Sequence, residues 1–280
     1  PGMRSNIDVN GINDLLGPGG GSKLVARNAE AAIKVETGMK GVKIMNLMVS
    51  GGTEARNIGI HFVGATDNGM LSNIIGINLH TGVKIEQAKN MQIVNCWVCE
   101  LPNSIELIGG ENIVVKNCQL GAQPTGITCK VQEVNKLSFI NNQVYPDGRE
   151  NLVLDACNNC VIEGNNFKSY YNGILVLNGN DNTVNKNIFW LTGAVQNQLL
   201  DHGDDFGIIN VKGNNNMVAS NSLSCEWAYA GAVTVNAVQG TGNVFKNCFV
   251  DNLESYRVFL VNAQTEVSNC VSSDKVSIVE

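Results

Sequence analysis

Asparagine returns along this chain at near-constant intervals, each time within a short apolar stretch. Asn46, Asn73, Asn95, Asn117, Asn141, Asn165, Asn187, Asn221, Asn247 and Asn269 are separated by 27, 22, 22, 24, 24, 22, 34, 26 and 22 residues. Self-similarity on that scale implies a solenoid, whose repeats bury their apolar faces only against their neighbours. The local texture makes the repeats β. In Gly82-Val83-Lys84-Ile85 and in Asn112-Ile113-Val114-Val115-Lys116-Asn117-Cys118, apolar and polar residues mostly alternate. Gly-Gly, Gly-Asn or Asn-Asn corners separate such runs. The expected fold is all-β, a single-stranded right-handed parallel β-helix with one coil for each of these ten Asn. A leucine-rich repeat also stacks Asn at about 20–29 residues per repeat, but its leucine framework is missing and Ile, Val and Asn dominate. The Asn column reads as structural, with side-chain amides stacked along the axis and satisfying backbone groups at the turns.

At 280 residues the chain exceeds the usual single globular core, yet no linker or composition break divides it. A solenoid escapes that limit because its core grows in one dimension. We expect one domain over residues 1–280, with an irregular first coil at 1–40 and a loop insertion at 190–206. With 16% charged residues and a net charge of -6, the chain has no Lys/Arg stripe to neutralise phosphates, which argues against nucleic acid. No apolar run of about 18 residues marks a transmembrane helix. A sparsely charged, mildly acidic surface fits a neutral, hydroxyl-rich ligand.

The nine cysteines do not form a small-domain disulfide framework. Cys96 and Cys118 each follow a column Asn, as do Cys248 and Cys270, so they read as small buried fillers of the interior. Cys157 and Cys160 have metal or redox spacing, but no second such pair accompanies them, and the chain holds only three His. No metal or cofactor is expected. Free thiols favour a reducing compartment and hence the cytoplasm; secretion stays open because the chain's start, Pro1-Gly2, carries no targeting pattern to read.

Function on a solenoid is usually mounted where the period slips. The largest slip, between Asn187 and Asn221, carries Asp201-His202-Gly203-Asp204-Asp205, the densest titratable cluster of the sequence. Carboxylates that close raise one another's pKa, one route to a general acid; Asp is equally a turn residue. The second irregular stretch is Tyr145-Pro146-Asp147-Gly148-Arg149-Glu150, whose Pro-Asp-Gly is a turn signal in itself, so Asp147 reads as structural. The third is Trp97-Val98-Cys99-Glu100-Leu101-Pro102, with Glu100 at a corner facing either a groove or water. Finally, Glu226 and Trp227 place a carboxylate beside an aromatic, a pairing suited to a sugar ring or to a subunit interface.

These irregular stretches resemble the inulin fructotransferases and the related difructose-anhydride hydrolases. The motifs that carry the resemblance are His202-Gly203-Asp204-Asp205-Phe206-Gly207 running into Gly213-Asn214-Asn215-Asn216, together with Tyr145-Pro146-Asp147-Gly148-Arg149, Cys157-Asn158-Asn159-Cys160 and Tyr170-Tyr171-Asn172-Gly173. The resemblance implies a trimeric right-handed β-helix that acts on fructans by intramolecular fructosyl transfer, or that hydrolyses the cyclic product. It places the family's catalytic Glu on Glu100, just before Ile105-Glu106-Leu107-Ile108-Gly109, and its catalytic Asp, eleven residues earlier, on Lys89. A Lys cannot act as the second carboxylate of a glycosidic mechanism. Either Glu86 or the Asp204/Asp205 loop supplies it, or the reaction has been lost.

The leading expectation is an enzyme on fructans or difructose anhydrides. Glu100 would be the acid/base and Asp204 or Asp205 the second carboxylate, with Lys89, Arg149, His202, Glu226 and Trp227 contacting sugar. The expected partners are an oligosaccharide and two further copies of the chain, with no nucleic acid or membrane. A β-helical polysaccharide lyase, using Lys89 or Arg149 as base, and a non-catalytic carbohydrate-binding or structural β-helix stand as alternatives. A calcium-dependent lyase would need converging oxygen ligands, for which only Asp201, Asp204 and Asp205 offer themselves.

Overall fold

The computed structural model describes residues 8–10, 23–26, 30–51, 57–171, 173–192, 207–225, 233–252, 257–272 and 276–279. Among them, 27 strands pair into one continuous sheet, and registered partners run parallel. The chain is a right-handed parallel β-helix with three walls. The first includes Ala31–Val35 and Ile58–Phe62 and continues into the opening halves of Thr81–Val94, Asn103–Lys116 and Ile127–Ile140. The second takes the closing halves of those long strands and then Val161–Glu163 and Thr183–Asn185. The third stacks Trp97–Leu101, Gln119–Ala122, Gln143–Val144, Asn166–Ser169, Ile188–Leu191, Ser222–Cys225 and Phe249–Asn252. No described residue is helical, which removes the leucine-rich-repeat alternative.

Alternation along each strand sends one set of side chains inward. On the third wall the inward set includes Val98, Leu120, Val144, Phe167, Phe189 and Leu223, all buried and each registered on the next. Stacking like on like lets Phe167 and Phe189 lie face to face at 5.0 Å, with Phe139 of the second wall 6.1 Å from Phe167. Each fully buried side chain of this kind contributes on the order of 1.5–3 kcal/mol.

The Asn column expected from the sequence resolves into two columns. Asn46, Asn73, Asn95, Asn117, Asn141, Asn247 and Asn269 sit at the corner between second and third walls with φ of 52–55°, where Asn tolerates the left-handed region. Gly164, Lys186 and Ser220 take that corner in the intervening coils, giving ten corners that bound nine complete turns. Asn165, Asn187 and Asn221 stand one residue later. They point inward in a buried column with Cys96, Cys118, Asn142, Cys248 and Cys270. There each carboxamide oxygen accepts the backbone N–H of the coil before: Asn142 N donates to Asn165 Oδ1 at 2.8 Å, Asn165 N to Asn187 Oδ1 at 2.9 Å and Asn187 N to Asn221 Oδ1 at 2.9 Å. A second buried ladder, unforeseen in the sequence, runs Cys160, Asn182, Asn216, Asn243 by the same rule, with bonds of 2.8, 3.0 and 3.0 Å.

The eight cysteines whose side chains are described are buried and unbridged. Cys157 and Cys160 donate to the Asp155 and Asn158 carbonyls at 3.3 and 3.4 Å, and burial pushes their thiols up to about 11 and about 12. Like the other described cysteines they fill the interior, without the thiolate character or the access of a reactive pair.

Candidate active site

Strand Trp97–Leu101 does not pair residue for residue with Gln119–Ala122. Trp97 faces Gln119 and Val98 faces Leu120, but Leu101 faces Ala122. Cys99 and Glu100 therefore stand opposite Gly121 alone, which is a β-bulge. The extra residue is accommodated by a left-handed Glu100, φ 62°, a conformation costing an ordinary L-residue on the order of 1–2 kcal/mol. The bulge buries Cys99 and turns the Glu100 side chain out to solvent. Gln123 Nε2 holds the bulge by donating to the Glu100 carbonyl at 3.1 Å.

Two coils further on, the Tyr145–Gly148 turn rises over the same spot. Tyr145 N donates to Leu120 O at 2.8 Å, its hydroxyl donates to Gln119 Oε1 at 3.1 Å, and Tyr170 N caps the turn by donating to Pro146 O at 3.2 Å. The turn presents the exposed Asp147 to a groove of ≈ 200 Å³ lined by Trp97, Cys99, Glu100, Gly121, Ala122, Tyr145 and Asp147. Gly121 is its floor. A Cβ there would lie 3.1 Å from Tyr145 Cβ and 3.7 Å from Cys99 Sγ, so the missing side chain is what keeps the gap between the coils open. The backbones carrying Glu100 and Asp147 are two rungs apart, about 9.6 Å.

Electrostatics bind the two acids to one place. The Cys99 thiol is pushed up to about 12, first by burial, then by the Glu100 and Asp147 carboxylates. The Tyr171 phenol is raised by burial and then by Asp147. A negatively charged groove between Trp97 and Tyr145 can donate and accept protons beside a ligand held on aromatic faces.

Of the residues singled out in the sequence, Glu100 lines the groove and Lys89 does not. Lys89 is exposed at the corner of the first and second walls, paired in register with Asp67 of the coil before and Glu111 of the coil after. Lys136 then bonds Glu111 at 2.8 Å, so charge alternates up this corner, and Lys136 more than Lys89 holds the Glu111 carboxyl below its usual range. Lys89 thus has a structural reason to be a cation. Glu86, the nearest other carboxylate, is committed to Lys84 at 2.9 Å and His61 at 3.3 Å on the first wall. Arg149 follows the Asp147 turn, its Nε 3.9 Å from the largely buried carboxylate of Glu150. Asp201, His202, Asp204, Asp205, Glu226 and Trp227 lie outside the described residues. The strands that precede them, Ile188–Leu191 and Ser222–Cys225, belong to the same wall as Glu100.

Asp147, Trp97 and Tyr145 are the groove residues that the sequence reading missed. The available signal was the rung arithmetic: Gln119 faces both Trp97 and Gln143, which places the Tyr-Pro-Asp-Gly turn directly above the Trp97–Glu100 segment.

Fold and groove together define a parallel β-helix protein with an acidic, aromatic-walled cleft on one wall. The chain belongs to the right-handed β-helix families: a family model described as "Right handed beta helix region" matches residues 125–278, and one described as "Periplasmic copper-binding protein (NosD)" matches residues 25–191. No curated protein matches the sequence. In structure the chain is similar to the DFA-IIIase of Arthrobacter chlorophenolicus A6 in complex with GF2, with TM-score 0.83 and 20% identity over 99% of this chain and 82% of that one. A mutant of that enzyme in complex with DFA-III gives TM-score 0.82 and 19% identity over 99% and 83%. ORF18 of Geobacillus virus E2 is more distant, with TM-score 0.52 and 13% identity over 89% and 56%. These likenesses establish the fold. The copper in the second family description finds no fit here: among the described residues no three His, Cys, Asp or Glu converge, and the buried thiols donate to backbone carbonyls.

Proposed function

We propose that the chain is a carbohydrate-active enzyme acting on fructans or on difructose anhydrides, with Glu100 as general acid/base and Asp147 as the second carboxylate. The observation that supports this most is the bulge that turns Glu100 out beneath Asp147, between Trp97 and Tyr145. In the protonated form Glu100 gives its proton to the leaving glycosidic oxygen. The Asp147 carboxylate takes the proton of the attacking group, a sugar hydroxyl in transfer or a water in hydrolysis. Trp97 and Tyr145 receive the C–H faces of the sugar. The fructan assignment comes from the fold likeness to DFA-IIIase and from the sequence resemblance, and fold alone does not determine chemistry. A homotrimer is part of this reading, since neighbouring subunits would cover faces of the solenoid other than the wall that carries Glu100.

The test is product mass spectrometry after incubation with inulin and with difructose anhydride III. Glu100→Gln should lower turnover roughly 100- to 10,000-fold, the usual worth of a general acid/base, with the circular dichroism spectrum unchanged. Full activity in that variant sinks the assignment. A second reading, carbohydrate binding without turnover, is favoured by Lys89 at the position where the family resemblance calls for Asp; binding by the wild-type chain with no product from either sugar would select it.

A further inference from the structure

The third wall carries more than the groove. Its outward positions bring an aromatic ring on every second coil: Trp97, Trp190 and Phe249 fall on the first, fifth and seventh of its strands from Trp97–Leu101 onward, and Tyr145 directly follows the third. The register is continuous. Gln119 faces Trp97, Lys168 faces Trp190, Trp190 faces Ser224, and Ser222 faces Phe249. The coils between the rings thus present Gln119, Lys168 and the Ser222/Ser224 pair, with the Lys168 ammonium 4.9 Å from the Trp190 ring centroid. Tyr145, Ile188 and Phe249 are 40%, 49% and 50% exposed, which gathers on this wall half of the six large apolar side chains that stand exposed among the described residues. Trp97 and Phe249 share one column, six rungs or about 29 Å apart, and Tyr145 and Trp190 share the column two residues along, two rungs or about 9.6 Å apart.

We propose that this wall is a binding track for a linear, neutral oligosaccharide that enters the Glu100 groove. The proposal rests on the carbohydrate reading of that groove but not on turnover there. Each ring offers a stacking platform for a sugar's C–H face, and the gap between platforms leaves room for an intervening sugar whose hydroxyls meet the amide, ammonium and hydroxyl groups of the alternate coils. Charge complementarity points to a neutral ligand. Among the outward side chains of these seven strands only Glu100, Lys168 and Asp251 carry charge, and they do not share a sign. A protein partner or second copy would be met by a continuous apolar centre with a polar rim, whereas here the coils after Trp97, Tyr145 and Trp190 present Gln119, Lys168 and Ser224, and Ser222 parts the exposed Ile188 from Phe249 and Val271. The track assigns a substrate class: chains of several sugars, held along the wall, in preference to a free cyclic disaccharide.

The experiment is calorimetric titration of the full chain carrying Glu100→Gln, so that ligand is not consumed. The ligands are linear β-2,1-fructo-oligosaccharides of increasing length, a cello-oligosaccharide series and difructose anhydride III. Affinity should rise with chain length before reaching a plateau. Added Trp190→Ala or Phe249→Ala should each weaken the longest ligand roughly three- to tenfold, with the shortest unchanged and Trp190→Phe restoring most of the loss. Equal affinity for short and long chains overturns the track while leaving the catalytic reading intact. Length-dependent binding of the glucan series alone keeps the track and sinks the fructan assignment. Change of oligomeric state by Phe249→Ala, read by sedimentation, overturns the proposal in favour of a subunit contact. Absence of binding to every sugar overturns both.

Discussion

Replacing Asn187 by Ala tests whether the buried amide column, rather than apolar stacking alone, fixes the coil register. Its Oδ1 accepts from Asn165 N and from Asn165 Nδ2, both at 2.9 Å, and its Nδ2 donates to Ile162 O at 2.8 Å and Asn221 Oδ1 at 3.0 Å. Four bonds disappear, but the losses are unequal. Asn165 Nδ2 keeps Phe139 O at 2.8 Å, and Asn221 Oδ1 keeps the Asn187 N–H at 2.9 Å. The Asn165 N–H loses the side-chain acceptor it had, in an interior where Asn165 and Asn187 are each 1% exposed. An orphaned buried donor costs about 1–3 kcal/mol and each net hydrogen bond about 0.5–1.5 kcal/mol, so the expected loss is about 3–4 kcal/mol. Asn187→Cys should cost about half as much. Cys118 occupies the same column, where its sulfur accepts from Cys96 N at 3.5 Å and donates to Ile93 O at 3.6 Å, the same two roles at longer range. Urea unfolding with an unchanged slope measures both. A loss below about 1 kcal/mol for Ala, or a Cys variant as unstable as Ala, refutes the argument from satisfied backbone groups.

Three further outcomes are expected. Gly121→Val should fill the floor between Glu100 and Asp147, because its Cβ already lies 3.1 Å from Tyr145 Cβ; KM for the fructan should rise at least tenfold with the far-ultraviolet spectrum intact, and an unchanged KM would place the ligand elsewhere. Cys157 and Cys160, raised to about 11 and about 12, should resist thiol reagents at pH 8 in the native state. Their folded pKa values lie above the ordinary 9.0, so the folded chain keeps protons that the unfolded chain releases. The stability they contribute is complete below about pH 9 and is lost as pH rises towards 11–12, which denaturation midpoints between pH 8 and pH 11 will show. Lys89→Asp, which introduces the carboxylate that the family resemblance would place there, should create a run of like charge with Asp67 and Glu111. The melting temperature should fall, and added salt should recover part of it; salt-insensitive melting would remove the charge column as the reason for Lys89.

How far the sequence reveals such a molecule depends on which physical quantity sets each feature. Alternation and spacing made the β-helix readable, because a solenoid repeats the same local problem in each coil. Spacing could not separate the corner Asn from the ladder Asn, since Asn141 and Asn142 are adjacent and chemically identical; only the φ of 53° at Asn141 and the burial of Asn142 distinguish them. The Glu100 bulge escaped for a related reason. Asn95 to Asn117 spans 22 residues, as does Asn73 to Asn95, so the extra residue is absorbed within its coil and no slip in the period announces it. Pro-Asp-Gly reads as a turn and Asp147 as structural, yet that turn is what presents Asp147 to the groove it shares with Glu100. A left-handed conformation is no signal alone, since Gln87, Glu133 and Lys136 adopt it too. The informative combination is a left-handed Glu on a bulge, a glycine opposite it, and an aromatic and an acid two rungs away. Each member has an ordinary structural use, and only the pairing register, which brings residues 97–100 beneath residues 145–147, makes them one site.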